Sequence, residues 1–585
     1  MSLFTSLFKH GFKPDRALVL ACVAVFGFTP RFSCADSELL PNHSLAHRYP
    51  AIVSVSQPQA AEAGADILRH GGDAIDAAMA IQYALGVTEP QSSGIGGGSF
   101  ILVWRAQDHS AWFIDGREAA PMATTPDQFE KLTFDQASMT GLSVGVPGTV
   151  AAFQVAHTRW GNLPFSEDLQ PAIVLADQGF PLGKYVSKML ADKKFQPRLN
   201  EAARAVFMPE GRPIEAGEIL VQKDLARTLK LLADNPAQFY RGEIAQAIIE
   251  AQQPSRVGPG GEGRMQIQDL LRYEVRVRKP LEGQYRGYKV LTVPSPSAGG
   301  TTLLETLGML ERFPLSDQKA GYGEVSPRTW HTLIEALRLA SADRLRYLGD
   351  DKQSVLPTEK LVSGTYVKSR AALITDQVLK EVSYDSFEQE KGRNTTHFSV
   401  VDHEGNIVLV TSTIDYIWGT GMMVPGWGFF LNNELTDFNL KPEGPKLGME
   451  LAPNDAAPGR RPRSSMAPTL LLKNDLPFEG LGSPGSASII STVLQTIVRT
   501  VDFAQPLKSA VEAPRFAQTS PRDEPSFEPG WHSDVLDGLS KVGHSLKYEG
   551  RGMGSVQGLE WSPKGQPHGV ADSRRDGTVI EVAVQ

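Results

Sequence analysis

Two hydrophobic periods alternate along this chain, and the switches between them mark its elements. Ile52-Val53-Ser54-Val55 reads as a short strand. From Gln57 to Ala84, Ala and Ile recur at helical spacing, with a break at Gly71-Gly72. Gly94-Ile95-Gly96-Gly97-Gly98 follows and leads into the strand-like stretch Ser99 to Trp104. Val144 to Gly260 is predicted mainly helical, with loops at Gly161-Asn162 and Pro209-Glu210-Gly211, and a flexible loop at Gly258 to Gly263. Tyr285 to Pro294 reads as a strand, Pro296 to Gly300 as a turn, and Thr301 to Arg312 and Trp330 to Leu348 as helices. Lys380 to Asn394 is polar, acidic-rich and aperiodic, as an exposed connector is, and such segments are where a chain is most easily cut.

The pattern then turns to period two. Thr395 to Asp402 is β-branched and partly alternating, His403-Glu404-Gly405 is a short loop, and Asn406 to Thr413 is a second strand. Loops of this length ending in glycine commonly close hairpins. Centring the hairpin on Glu404 pairs Asp402 with Asn406 and Val400 with Val408. Continued outward, it sets Thr395 opposite Thr413, within side-chain reach on one face. Phe429 to Asn433 is predicted as a strand ending in Glu434 and Asp437. Lys441 to Arg463 is a long Pro/Gly-rich loop, a length usually reserved for functional or disordered segments. Thr469 to Lys473 is a strand, and Leu481 to Ser486 turns tightly into a helix over Ile489 to Asp502.

Composition narrows the class. The chain has 585 residues, 41% hydrophobic and 21% charged, with formal net charge -8. This is ordinary for a globular protein and lacks the basic excess of a nucleic-acid binder. Lys9, Lys13 and Arg16 precede the twelve apolar residues Ala17 to Phe28, too few to span a bilayer but suited to a secretory leader cut after Ala35. The alternative is an uncleaved anchor. The two cysteines, Cys22 and Cys34, both fall inside that leader, so the mature chain would carry no disulfide, cysteine nucleophile or thiolate metal site. A periplasmic or secreted location is expected.

The chain carries few motifs for chemistry. The glycines at 94–98 follow a helix and precede a strand, the reverse of a dinucleotide cradle, so close backbone packing is the better reading. His397 and His403 read as strand and turn residues. No metal and no organic cofactor is predicted. A threonine hydroxyl is a poor nucleophile unless a free α-amine on the same residue serves as base, which requires cleavage before it. Thr395, at the end of a polar connector and opposite Thr413, has the position for this. Taken by itself, such a pair is more often just two strand threonines. The turn at Ser483-Pro484-Gly485-Ser486 presents backbone amides that could bind an oxyanion, or simply start a helix.

Ten segments in order make the chain resemble the γ-glutamyltransferase (γ-glutamyltranspeptidase, glutathione hydrolase) family from about Ala51 to its end. Among them are GGDAIDAAMAIQYALGVTEPQ (71–91), GIGGGSF (94–100), DGREAAP (115–121), ADRLRYLGD (342–350), TTHFSVVDHEGN (395–406), LNNELTDF (431–438), RPRSSMAPT (461–469) and GSPG (482–485). The resemblance implies an α/β (α+β) N-terminal-nucleophile hydrolase: a four-layer αββα sandwich made as one precursor. The precursor would be cut between Asn394 and Thr395, giving a leader (1–35), a large subunit (36–394) and a small catalytic subunit (395–585) that stay together. It implies Thr395 as nucleophile, Thr413 as its orienting partner, and the amides of Gly485 and Ser486 as oxyanion hole. Arg117, Ser464 and Ser465 would hold the substrate α-carboxylate, and Glu434 and Asp437 its α-ammonium, with Asp415 beside them. The expected substrates are glutathione or other γ-glutamyl compounds, with water, an amino acid or a peptide as acceptor. No nucleic acid or stable membrane anchor is expected.

Three departures from the family pattern stand out. Asp415 occupies a place where many members carry asparagine, Ser486 replaces a second glycine, and Lys441 to Arg463 lacks the tyrosine of the family's lid, which leads to the expectation of a more open cleft. Rival readings are a cephalosporin or glutaryl acylase, a poly-γ-glutamate depolymerase or capsule-linking transpeptidase on the same fold, and an uncleaved, inactive binding homologue.

Overall fold

The predicted hairpin forms at the centre of the molecule. In the computed structural model, which describes residues 49–350, 358–382, 394–550 and 552–584, strand Thr396–Val401 pairs antiparallel with Ile407–Thr413. Val400 faces Val408 and Thr396 faces Ser412, as centring on Glu404 requires. The Asp402 N–H donates to Asn406 O and the Gly405 N–H to Asp402 O, closing the turn.

Around this hairpin the strands Thr578–Val582, Ala51–Val55, Thr396–Val401, Ile407–Thr413, Gly98–Arg105, Ser110–Gly116 and Arg276–Arg278 lie side by side in a seven-stranded antiparallel sheet. A six-stranded antiparallel sheet, from Pro567–Ala571 through Gln557–Trp561, Leu476–Gly482, Thr469–Lys473 and Tyr288–Thr292 to Leu281–Tyr285, packs on it face to face. The strand period decides which residues go where. Val401, Ile407 and Leu409 enter the apolar layer between the sheets with Leu470, Leu472 and Leu559. Phe398, Val400, Val408 and Val410 point the other way, onto the helix layer that includes Pro58–Arg69 and Ala74–Thr88. Helices Gly299–Leu310, Pro327–Tyr347 and Ser488–Val501 cover the second sheet. The architecture is thus α+β, a four-layer αββα sandwich, as the resemblance implied.

Two elements differ from the sequence reading. Tyr285 to Pro294 is half of a hairpin, Leu281–Tyr285 and Tyr288–Thr292, because Gly287 turns the chain at φ +81°. Phe429 to Asn433 is not a strand: Phe430 makes one isolated bridge to Met423, and Asn432 N–H instead donates to Gly96 O. Its apolar residues are buried by threading between other segments, which period alone cannot distinguish from pairing. Lys441 to Arg463 is a loop, as read, with one turn of 3₁₀ helix at Gly444–Leu447. The Asp455 carboxylate accepts N–H groups from Glu443, Gly444 and Ala452, tying the first part of the loop to its middle, and Ala452 to Ala457 are buried. The proposed leader, both cysteines and most of the connector before Asn394 lie outside the described residues. Among the described residues no helix is long and apolar enough to cross a membrane.

Candidate active site

The inter-sheet face that carries Val401 and Leu409 also carries Thr395 and Thr413, at the far end of the same two strands. Thr395 Oγ1 stands 2.7 Å from the Asn394 carbonyl oxygen and 3.2 Å from Thr413 Oγ1. The Thr413 hydroxyl reaches the same carbonyl at 3.1 Å and accepts the Asp415 N–H at 2.8 Å. Both threonines are buried. The glycine cluster makes this possible. A Cβ added to Gly97 would stand 2.0 Å from the Thr413 carbonyl oxygen, so only glycine lets the chain lie against the end of that strand.

Arg117 follows the strand Ser110–Gly116 and is almost fully buried. Its guanidinium Nη1 donates to Glu434 Oε1 and its Nη2 to Asp437 Oδ2 at 2.6 Å, while Nε and Nη2 reach the carbonyls of Pro462 and Arg463, each at 3.1 Å. Glu434 and Asp437 come from one turn of 3₁₀ helix, Glu434–Asp437. Burial works against the Arg117 charge, but Glu434, Asp437 and Glu118 outweigh it and hold its pKa above the ordinary value. Burial raises the carboxyl pKa of Glu118 to about 7 against the opposing pull of Arg117. Burial also pushes Glu434 well above the carboxylate range, again opposed by Arg117. Asp415 is raised well above it by burial and then by Asp437, with its hydrogen bond from Thr436 (2.9 Å) opposing. Oxygens of Asp415, Glu434 and Asp437 lie within 4.8 Å of one another, close enough to share a cation. Arg117 already meets two of them, which matches an organic cation better than a metal ion.

Ser464 and Ser465 lie on the loop leading to Thr469–Lys473. Ser464 Oγ accepts the Met466 N–H at 3.2 Å, and Ser465 Oγ accepts from Arg344 Nη2 at 2.7 Å. Gly485 and Ser486 precede the helix Ser488–Val501 at φ +134° and +54°. The amides of Ser488 and Ile489 donate to Gly485 O and Ser486 O. Among the described residues those of Gly485 and Ser486 have no acceptor, as an anion-binding turn requires. Ser486 sits in the left-handed region at a cost that glycine escapes. Ser486→Gly is expected to raise the free energy of unfolding by about 0.5–1 kcal/mol, strain relief less the added freedom of the unfolded chain, measured by the denaturation midpoint. Asp415 is also left-handed, at φ +70°, but Asp and Asn are the side chains that tolerate it best, so Asp can stand in for Asn there.

Most of these groups converge on one small pocket, lined by Arg117, Thr395, Thr413, Asp415, Glu434, Asp437, Ser464, Ser465 and Ser486, with Met466 and Ile489 as apolar walls. Gly485 and Asn394 adjoin the lining residues Ser486 and Thr395. The sequence reading did not single out Glu118, Thr436 or Arg344. Each lies inside a segment quoted above, Glu118 beside Arg117 and Thr436 beside Asp437, and no local pattern separates a buried charge from a solvated one. His397 is confirmed as a strand residue. Burial lowers its pKa to about 3, and its ring nitrogens meet Thr411 and Ser399.

The family model described as Gamma-glutamyltranspeptidase matches residues 60–582. A glutathione hydrolase proenzyme of Bacillus subtilis (strain 168) is 39% identical over 556 residues, 91% of each chain. A protein of the same description from Escherichia coli (strain K12) is 38% identical over 535 residues, 88% of this chain and 89% of that one. Among solved structures, a cephalosporin acylase from Bacillus halodurans superposes with a TM-score of 0.81 at 28% identity, covering 96% of this chain and 100% of that chain.

Proposed function

This chain belongs to the gamma-glutamyltranspeptidase family and is an enzyme of that family, and from that premise we propose that it cuts itself between Asn394 and Thr395 and then transfers γ-glutamyl groups through Thr395. The observation that carries the reading is the contact set of Thr395, whose hydroxyl meets both the Asn394 carbonyl and Thr413 at the mouth of a pocket built from buried, opposed charges. The cut frees the Thr395 amine, which takes the hydroxyl proton as Oγ attacks the substrate γ-carbonyl. Gly485 and Ser486 N–H groups would stabilise the oxyanion. The amine leaving group departs, and water or an amino acid or peptide amine accepts the acyl group from the ester. Large (36–394) and small (395–585) subunits remain one folded body, because both central sheets draw strands from each side of the cut. A leader over 1–35 and a periplasmic or secreted site belong to the same proposal.

Substrate choice follows from the ion cluster. A zwitterionic head group can enter between Arg117 and its two acids and leave no charge unpaired: its carboxylate takes the arginine fork with Ser464 and Ser465, and its ammonium takes Glu434 and Asp437. A glutaryl group brings only the carboxylate and strands two buried acids, a penalty of about 2–5 kcal/mol. γ-Glutamyl p-nitroanilide should therefore turn over at least about 30-fold faster in kcat/KM than glutaryl p-nitroanilide. Equal rates, or a preference for the glutaryl compound, would favour the acylase reading that the Bacillus halodurans structure keeps open. Mass spectrometry of the purified protein tests the cut directly.

Asp415 gives a pH prediction. Neutral carboxyls cannot pair with an ammonium, so kcat/KM should fall as pH drops through the raised values of this acid group. Asp415 raises Glu434 by like-charge repulsion. Asp415→Asn removes that repulsion, lowers the Glu434 pKa, and should move the acidic limb of the kcat/KM profile to lower pH. A limb that stays in place or moves up would show that Asp415 does not raise Glu434.

A further inference from the structure

Strand alternation gives Thr395 one face and its two neighbours the other. Thr396 points toward the helix layer, where its Oγ1 lies 3.0 Å from Ser56 Oγ. Ser56 Oγ donates to Glu89 Oε2 at 2.9 Å, and Glu89 Oε1 accepts from Arg575 Nη1 at 3.1 Å. The second arm of the same guanidinium, Nη2, donates to the Asn394 side-chain oxygen at 2.9 Å, and Asn394 Nδ2 donates to Gln91 O at 2.6 Å. Both residues flanking Thr395 are thus held by one chain of contacts, Asn394–Arg575–Glu89–Ser56–Thr396. Asn394, Thr396, Ser56 and Glu89 are buried, the Arg575 side chain is 5% exposed, and its guanidinium lies over the Tyr185 ring at 4.7 Å.

We propose that Arg575 is a positioning residue for self-cleavage: with Glu89 and Ser56 it brackets the Asn394–Thr395 peptide so that Thr395 Oγ1 is held at the Asn394 carbonyl. The inference rests on Thr395 being the self-cleaving nucleophile. In that step a bond forms between Thr395 Oγ and the Asn394 carbonyl carbon, the Asn394–Thr395 C–N bond breaks, and the hydroxyl proton passes to the Thr395 nitrogen. Water then hydrolyses the ester, giving an Asn394 carboxylate and restoring the hydroxyl. A peptide bond exchanges for a less stable ester only slowly, so the step depends on holding the reacting atoms in register. The arginine fork suits the task, because its two Nη groups span Glu89 and Asn394 at once, which a lysine ammonium cannot do with the same geometry. The bracket lies on the helix side of the strand, whereas the pocket for the γ-glutamyl group lies on the other side. Arg575 is not among the pocket lining.

The test is cell-free synthesis of the full chain, with cleavage followed on denaturing gels for wild type, Arg575→Met, Arg575→Lys, Asn394→Ala and the Arg575→Met/Asn394→Ala double variant. Arg575→Met and Arg575→Lys are expected to cut about tenfold more slowly or worse. The double variant should be less slow than the product of the two single effects, because both substitutions break the Asn394–Arg575 contact. Turnover per cut chain on γ-glutamyl p-nitroanilide should stay within about twofold of wild type. Wild-type cleavage rates in Arg575→Met overturn the proposal. So do additive effects of the two substitutions, or a loss of turnover per cut chain and of Tm that matches the loss of cleavage, since these mark a purely structural ion pair. Thr395→Ala runs beside them: if that chain is cut, the nucleophile assignment fails, whatever Arg575 does.

Discussion

Thr395→Ala is expected to give a single uncut chain of full mature length with turnover of γ-glutamyl p-nitroanilide down by on the order of 10⁴- to 10⁶-fold. The substitution removes the oxygen that attacks in both reactions. Without the cut there is also no free amine at residue 395 to act as base. The fold should survive, because Thr395 precedes the paired strand and its loss removes a hydroxyl and a methyl from a polar end of the inter-sheet layer. A denaturing gel and an anilide assay decide it together. Two bands would show that another group cuts the chain. One band with wild-type turnover would show that neither cleavage nor Thr395 is needed. Thr395→Ser keeps the oxygen and should retain both activities at reduced rate.

Arg117→Lys carries the second largest effect. Lysine keeps the charge but loses the fork that meets Glu434 and Asp437 at once while Nε holds the Pro462 carbonyl. Leaving one buried acid poorly paired costs about 2–5 kcal/mol, or roughly 30- to 5000-fold in kcat/KM for γ-glutamyl substrates. Self-cleavage should continue, because Arg117 contacts neither Asn394 nor Thr395 among the described residues. The pairing of a matured chain with a large loss in kcat/KM separates substrate binding from folding. If Arg117→Lys binds and turns over as wild type does, the α-carboxylate is held elsewhere.

The hairpin that presents Thr395 was legible because it is local. Its turn glycine and its alternation fix the register, and register fixes that Thr395 faces Thr413. The glycines at 96 and 97 were legible as packing residues, since no helix follows them. Phe429 to Asn433 misled because an apolar run buried by threading looks the same as one buried by pairing. The pocket was legible only through family resemblance. Arg117, Asp415, Glu434, Ser464 and Ser486 are far apart in the chain, and nothing in the spacing between them brings them together. Arg344 and Arg575 went unmarked for the same reason, since a buried arginine has no local signature that an exposed one lacks.

By itself the sequence determined the central hairpin, the two-threonine face and, through its ordered segments, membership of the gamma-glutamyltranspeptidase family. Local hydrogen bonding and the alternation of side chains require nothing beyond neighbouring residues, so these survive without a fold. Only the tertiary structure decided that Arg117 meets both Glu434 and Asp437, that Asp415 joins a buried group of acids, and that Arg575 reaches across to Asn394. Those contacts depend on charges desolvated together by the closing of two sheets and two helix layers, and burial of that kind is a property of the whole chain.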